Sequence, residues 1–213
     1  MGLYEDVAFV RRAKRALSAA DARMAQIIKK VGPFKPGVVE NTFQALILSI
    51  IHQQLSMAAA RTISGRVLDL CARRRLSPKA LVAATDPQLR GAGLSRQKVT
   101  YVRSVCDHFL NGRLKPRRLA RLSDEEAIEQ LVDIRGVGVW TAEMILMFTL
   151  QRPDVWPVDD LGLRHALKKS YRIPMTAKRD RLIRAGEKFR PYRSVACWYL
   201  WSSLDTGIVP GFD

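Results

Sequence analysis

Residues 131–143 read Leu131-Val132-Asp133-Ile134-Arg135-Gly136-Val137-Gly138-Val139-Trp140-Thr141-Ala142-Glu143. The pattern is apolar–x–x–apolar–x–Gly–apolar–Gly, and it predicts a helix ending near Val132, a tight turn at Gly136-Val137-Gly138, and a new helix from about Val139. Glycines at such a turn let backbone approach an anion closely, and the N–H groups that open the next helix can bind it. Contacts of this kind fix a phosphate without any side-chain charge. The plain alternative is an ordinary turn between two packed helices.

Working outward, the chain reads as helix nearly throughout. Apolar residues recur at helical spacing in Phe43, Leu46, Ile47, Ile50 and Ile51, and again in Ile63, Val67, Leu70 and Cys71. Ser77-Pro78 and Asp86-Pro87 each read as an N-cap followed by proline at the first helical position. Ser123-Asp124-Glu125-Glu126 fits a capping box that opens a helix through about Leu131. Asn111-Gly112 is a stop for the helix carrying Val99, Val102, Val105 and Phe109. No alternating strand pattern and no internal repeat stands out. The expected fold is all-α, with about ten short helices in two helical lobes and a groove between them. Residues of about 50–155 are expected to form the central lobe, and both termini, about 1–49 and 156–213, the second, within a single unit of 1–213.

The 213 residues carry 36 Lys+Arg against 20 Asp+Glu, a net charge of +16, with 47% hydrophobic residues. A chain of this length and apolar content buries a core, so it is not a basic disordered tail. Its charge points to a polyanionic partner, nucleic acid or an anionic membrane surface. The charge is blocked: 61–121 holds 15 basic and 3 acidic residues, 161–193 holds 11 and 2, and the intervening 122–160 holds 2 and 9. The apolar stretches Ala45–Ile51 and Met144–Leu150 are far short of the roughly 20 residues of a membrane span. No signal peptide is evident at Met1-Gly2-Leu3-Tyr4-Glu5-Asp6. Cys71, Cys106 and Cys197 have no metal-type spacing and read as reduced cytosolic core thiols, and three cysteines are too few for a four-cysteine zinc site or iron–sulfur cluster. His52, His108 and His165 lack a ligand pattern and read as structural or surface residues.

The stretch at 131–143 resembles the helix-hairpin-helix motif, in which the turn binds DNA backbone; on this resemblance Arg135, Gly136, Val137 and Gly138 are DNA-binding candidates. About twenty residues on comes Trp156-Pro157-Val158-Asp159-Asp160-Leu161-Gly162-Leu163-Arg164. Together the two elements resemble the helix-hairpin-helix, Gly/Pro-Asp (HhH-GPD) superfamily of base-excision DNA glycosylases, most closely the AlkA-type 3-methyladenine DNA glycosylase II. The likeness runs from about Phe43 to Trp201. Phe43-Gln44-Ala45 through Leu55-Ser56 is similar to the family's helix and DNA-probing loop, and Val195–Trp201 to its C-terminal aromatic helix. With only about forty residues before Phe43, the chain is expected to match a compact form without the extra N-terminal domain of the best-known bacterial members.

The resemblance implies roles for particular residues. Asp160 matches the aspartate that stabilises the cationic sugar as the N-glycosidic bond breaks, and it can assist the attacking water; Asp159 is the neighbouring alternative, and either can serve as a helix cap. In the bifunctional branch a lysine stands two residues after the hairpin's last glycine and forms a Schiff base; here that residue is Trp140, which implies hydrolysis without strand cleavage. Trp140, Met144 and Trp201 are expected to wall the base pocket, where an electron-rich ring attracts a cationic alkylated purine. All three fit a packed core as well. Met144 stands where the classical form has an aromatic. The loop residues Gln53, Gln54 and Leu55 are expected to bind DNA, and Gln54 or Leu55 to fill the gap left by a flipped base, unless Leu55 is a staple onto the next helix.

The implied protein is therefore a monofunctional DNA glycosylase of base excision repair, acting on 3-methyladenine, 7-methylguanine or 1,N6-ethenoadenine in double-stranded DNA. The alternatives are a non-catalytic binder of DNA structure and, disfavoured by Trp140 and the missing cluster cysteines, a bifunctional glycosylase/lyase. The resemblance implies no cofactor and no metal site in side chains, although hairpin carbonyls can coordinate a monovalent cation. It implies a cytoplasmic, nucleoid-associated monomer with no membrane partner.

Overall fold

Asp6 and Asp21 open the first two helices, each accepting backbone N–H bonds on its carboxylate, Asp6 from Ala8 and Phe9 and Asp21 from Met24. The computed structural model describes residues 2–39 and 41–204. Among them lie thirteen α-helices and two short 3-10 turns, with no strand. They are α1 Val7–Ala20, α2 Ala22–Val31, α3 Thr42–His52, α4 Met57–Asp69, α5 Pro78–Ala83, α6 Asp86–Gly91, α7 Arg96–Leu110, α8 Pro116–Leu119, α9 Asp124–Val132, α10 Val139–Phe148, α11 Leu161–Tyr171, α12 Arg179–Glu187 and α13 Arg193–Ser202. The fold is all-α as expected, with thirteen α-helices among the described residues against about ten expected, two of them opened by the caps Asp6 and Asp21. No helix among the described residues is long and apolar enough to cross a membrane.

The caps explain where most helices begin. Ser77 caps α5 through the Ala80 N–H, and Ser123 and Glu126 form the capping box of α9. One expected cap is corrected. Thr85, not Asp86, caps α6, because Thr85 and Gln88 make a reciprocal capping box and place Asp86 inside the first turn with Pro87. The α7 helix stops at Asn111, and Gly112 follows with φ +69°.

The chain divides into two compact units, one of residues 39–145 and one of 1–38 with 146–213. These bounds differ by about ten residues from the expected 50 and 155, for identifiable reasons. Phe43 meets Phe109 edge-on with ring centroids 5.1 Å apart, so α3 packs on α7 within the middle unit. The stretch after α10 is tied instead to the chain ends. Gln151 accepts from the Tyr4 N–H at 2.8 Å, the Arg152 carbonyl accepts from Tyr4 Oη and Ser194 Oγ, and Asp154 pairs with Arg193 at 2.9 Å. In the middle unit α7 is central, with α3, α5 and α6 packed along it. In the other unit that place falls to α13, whose residues Ser194 through Trp201 are all buried. The three cysteines are buried thiols, and burial pushes Cys106 up to about 12, far from reactivity at neutral pH.

Asp21 does more than cap. Its carboxylate also accepts from Tyr171 Oη at 2.8 Å and from Lys188 Nζ at 2.5 Å, and Lys188 lies 4.4 Å over the Tyr171 ring. Burial opposes its ionisation, but Lys188 and the Met24 and Tyr171 donors outweigh that and hold the carboxyl below its ordinary 3.8. A group depressed on folding contributes stability above its unfolded value and loses it as pH falls through the folded one. Asp21→Asn is therefore expected to cost about 1–2 kcal/mol at pH 7 and to cost less below about pH 3.8, as urea titrations at the two pH values will report.

Candidate active site and nucleic-acid interface

The hairpin in the middle unit is set by α7. Gly136 has φ +91°, and a Cβ placed there would lie 2.3 Å from Cγ of Tyr101, so both backbone conformation and the ring beneath require glycine. Ser104 Oγ accepts the Arg135 N–H at 3.1 Å, and His108, buried on the same helix, reaches the Asp133 carboxylate at 3.0 Å. Val137 is buried, and its N–H closes the turn onto the Ile134 carbonyl at 3.0 Å. Gly138 differs from Gly136: a Cβ there meets nothing within 4 Å. It is exposed, and its carbonyl accepts the first helical bond of α10, from the Ala142 N–H at 3.0 Å. The outward parts of the hairpin are thus Arg135, Gly138 and the positive end of α10. The Ile134 and Gly136 carbonyls already accept from Val137 N–H and Gln53 Nε2, so a monovalent cation at the turn would share those oxygens.

The loop after α3 sits in the same unit. Gln53 Nε2 donates to the Gly136 carbonyl at 2.9 Å, so this residue straps the loop to the hairpin. Gln54 turns the chain with φ +56° and is exposed, and Leu55 is 37% exposed. Ser56 then caps α4. Lys98, which sequence reading missed, donates from Nζ to the Ile51 and Gln53 carbonyls, both at 2.7 Å. The orphan carbonyls at the end of α3 are thereby capped by a cation.

In the other unit Asp160 is the N-cap of α11 and is 6% exposed. Its Oδ1 accepts from the Leu163 N–H at 2.6 Å and from Trp201 Nε1 at 2.8 Å. The segment before α11 is kept short and rigid by the Asp160 N–H donating to the Pro157 carbonyl at 3.0 Å. Gly162 leaves room for this arrangement, since a Cβ there would sit 3.0 Å from the Trp201 ring and 3.1 Å from Oδ1. Asp159 has a different fate. Its carboxylate is exposed and pairs with Arg164 at 3.3 Å and Arg179 at 3.2 Å. The two adjacent aspartates are thus divided between a buried carboxylate held by N–H donors and a surface ion pair.

The aromatic candidates separate likewise. Trp140, in the first turn of α10, is 41% exposed, a large open area for a tryptophan, whereas Met144 one turn on is 3% exposed. Trp201 is 2% exposed, with its ring centroid 6.1 Å from that of Phe148 and its N–H spent on Asp160. A wall assignment alone does not describe Trp201, because it orients the carboxylate. Leu161, also missed, is 67% exposed beside Asp160 at the first position of α11.

Both basic blocks are partly engaged within the protein and partly exposed. In 161–193, Arg164, Arg179, Lys188, Arg190 and Arg193 are all engaged in ion pairs within the protein. In 61–121, Arg103 turns inward to the Leu81 and Ala84 carbonyls and Asp86, and Arg74 pairs with Asp69. Arg90, Arg96, Arg113, Arg117, Arg118 and Arg121 of that block are exposed.

The hairpin turn, the buried capping aspartate and the all-α frame agree with the HhH-GPD superfamily of base excision DNA repair proteins, which the chain matches over residues 47–191. The chain belongs to that superfamily. Its relatives include DNA-3-methyladenine glycosylase 1 of Schizosaccharomyces pombe, 31% identical over 93% of this chain and 90% of that one. Among solved structures, a DNA-3-methyladenine glycosidase from Bacillus halodurans superposes with a TM-score of 0.82 at 38% identity, over 92% of this chain and 90% of that one. The Schizosaccharomyces pombe 3-methyladenine DNA glycosylase in complex with abasic DNA gives 0.82 at 29% identity, over 95% and 99%.

Proposed function

We propose that this chain is a monofunctional DNA glycosylase that removes alkylated purines from double-stranded DNA by hydrolysis of the N-glycosidic bond. The observation that carries the reading is the buried Asp160 carboxylate, fixed by the Leu163 N–H and the Trp201 indole N–H at the start of α11. A carboxylate whose position is set in advance stabilises the positive charge that develops on the sugar without reorganising as the bond breaks. It also orients water for attack at the anomeric carbon. N3- and N7-alkylated purines leave readily because their rings are cationic, so no strong general acid is needed. The exposed ring of Trp140 suits such a base, an attraction of about 0.5–2 kcal/mol.

Trp140 also supports hydrolysis over lyase chemistry, since indole offers no amine for a Schiff base. Backbone N–H groups past Gly138, with the exposed arginines of 61–121, hold DNA phosphates in a salt-dependent and largely sequence-blind way. The protein acts as a cytoplasmic, nucleoid-associated monomer and needs no cofactor.

The test is incubation of the purified protein with duplexes bearing a single 3-methyladenine analogue, 7-methylguanine or 1,N6-ethenoadenine. Base release with an intact strand, and no protein–DNA adduct on borohydride reduction, is the expected result. Tight, salt-sensitive binding with no release from any lesion would turn the reading to a non-catalytic binder of DNA structure. A trapped adduct would turn it to a lyase.

A further inference from the structure

One face of α7 contacts both the hairpin and the end of the helix that leads into the probing loop. Lys98, Tyr101, Ser104 and His108 are spaced three, three and four residues apart, so they form one stripe. Along it lie, in order, the end of α3, the floor beneath Gly136, the Arg135 N–H and the Asp133 carboxylate. Gln53 closes the circuit, with its carbonyl on Lys98 and its side-chain amide on the Gly136 carbonyl. Loop and hairpin therefore do not hang independently from the unit. They share a rack: the Gln53 side-chain amide joins the 53–55 turn to the hairpin, and the Gln53 carbonyl joins it to Lys98 of α7.

We propose that Lys98 and Gln53 are positioning residues for base opening, holding the exposed Gln54-Leu55 tip at a fixed spacing from the hairpin so that wedge and phosphate grip act on the duplex together. This rests on the glycosylase reading above. Neither residue touches DNA in this role. Lys98 is half-buried and spends two ammonium donors on carbonyls, and Gln53 spends its amide on backbone. A spacing held this way matters only when a base must be pushed from the stack, a step that costs a few kcal/mol within a duplex and less where no base stands opposite.

The experiment compares two substrates: 1,N6-ethenoadenine stacked opposite thymine within a duplex, and the same base in a bulge with no opposing base. Base release is measured in single turnover, and opening by the rise in ethenoadenine fluorescence on unstacking. Lys98→Met is expected to lose about tenfold or more on the lesion stacked in the duplex, the size set by bonds to a charged donor, and to stay within about twofold on the bulge. Lys98→Arg, which can still donate to both carbonyls, should recover most of the loss. Gln53→Ala removes the strap without uncapping α3 and should show a smaller loss of the same kind, so the proposal stands or falls even where Lys98→Met misfolds. Equal losses on both substrates, or none on either, would overturn it. A wild-type protein that opens the base and releases none defeats the glycosylase reading but leaves positioning to be judged by fluorescence in the same variants. A wild type that opens nothing defeats both.

Discussion

Asp160→Asn is expected to lower base release by about a hundredfold or more while leaving the protein folded. The magnitude is that of removing a preorganised group aimed at developing charge in a transition state. The fold survives because asparagine keeps an oxygen where Oδ1 stands, and so can still accept from the Leu163 N–H and from Trp201 Nε1. It is also as good an N-cap as aspartate. The negative charge is lost, and an amide nitrogen takes the place of Oδ2. Asp160→Ala is less informative, because it removes the cap and strands the buried indole N–H, at about 1–3 kcal/mol for the unsatisfied donor. The control is Asp159→Asn, which breaks only exposed ion pairs with Arg164 and Arg179, worth about 0–1 kcal/mol. Single-turnover rates with matched circular dichroism and melting curves decide it. Full activity in Asp160→Asn, or a comparable loss in Asp159→Asn, would remove Asp160 from its role.

The second large effect separates the two hairpin glycines. Gly136→Ala puts a Cβ into the Tyr101 ring and forces a non-glycine residue to φ +91°. Left-handed strain of about 1–2 kcal/mol and overpacking of about 1–3 kcal/mol add to a destabilisation of several kcal/mol, visible in thermal or urea unfolding without any DNA. Gly138→Ala meets only open space, so its melting temperature should stay at the wild-type value. Its cost falls on DNA, where the new methyl group stands in the path of an approaching phosphate. Affinity for duplex is expected to drop by about tenfold, the loss of one or two charge-assisted bonds. Equal stability losses in the two variants would show that both glycines serve the fold alone. This contrast was not visible in the spelling Gly136-Val137-Gly138, where the two residues look equivalent.

Other parts of the molecule were legible, and for physical reasons. Caps such as Ser77 and Ser123, the stop at Asn111-Gly112 and the apolar spacing of α3 and α7 act within one or two turns of chain, so they can be read without knowing what packs on them. The cap at α6 was misplaced by one residue because Asp86 and Thr85 both have the chemistry, and only the reciprocal bond with Gln88 chooses between them. The bounds of the two units rest on contacts such as Phe43 with Phe109, or Tyr4 with Gln151, which join residues far apart in sequence.

By itself the sequence determined an all-helical chain, a glycine turn suited to an anion, and a carboxylate with an indole residue forty-one positions beyond it. Those are properties of residue type and local spacing. Only the tertiary structure decided that Oδ1 of Asp160 takes the Trp201 N–H, that Asp159 belongs to the surface, that Tyr101 requires Gly136, and that Lys98 holds the end of α3. It also divided the opening charge, engaging five basic residues of 161–193 in internal ion pairs. Each of these is a contact between helices, and the partner of a side chain across a helix interface is set by how the helices pack, which no local pattern encodes.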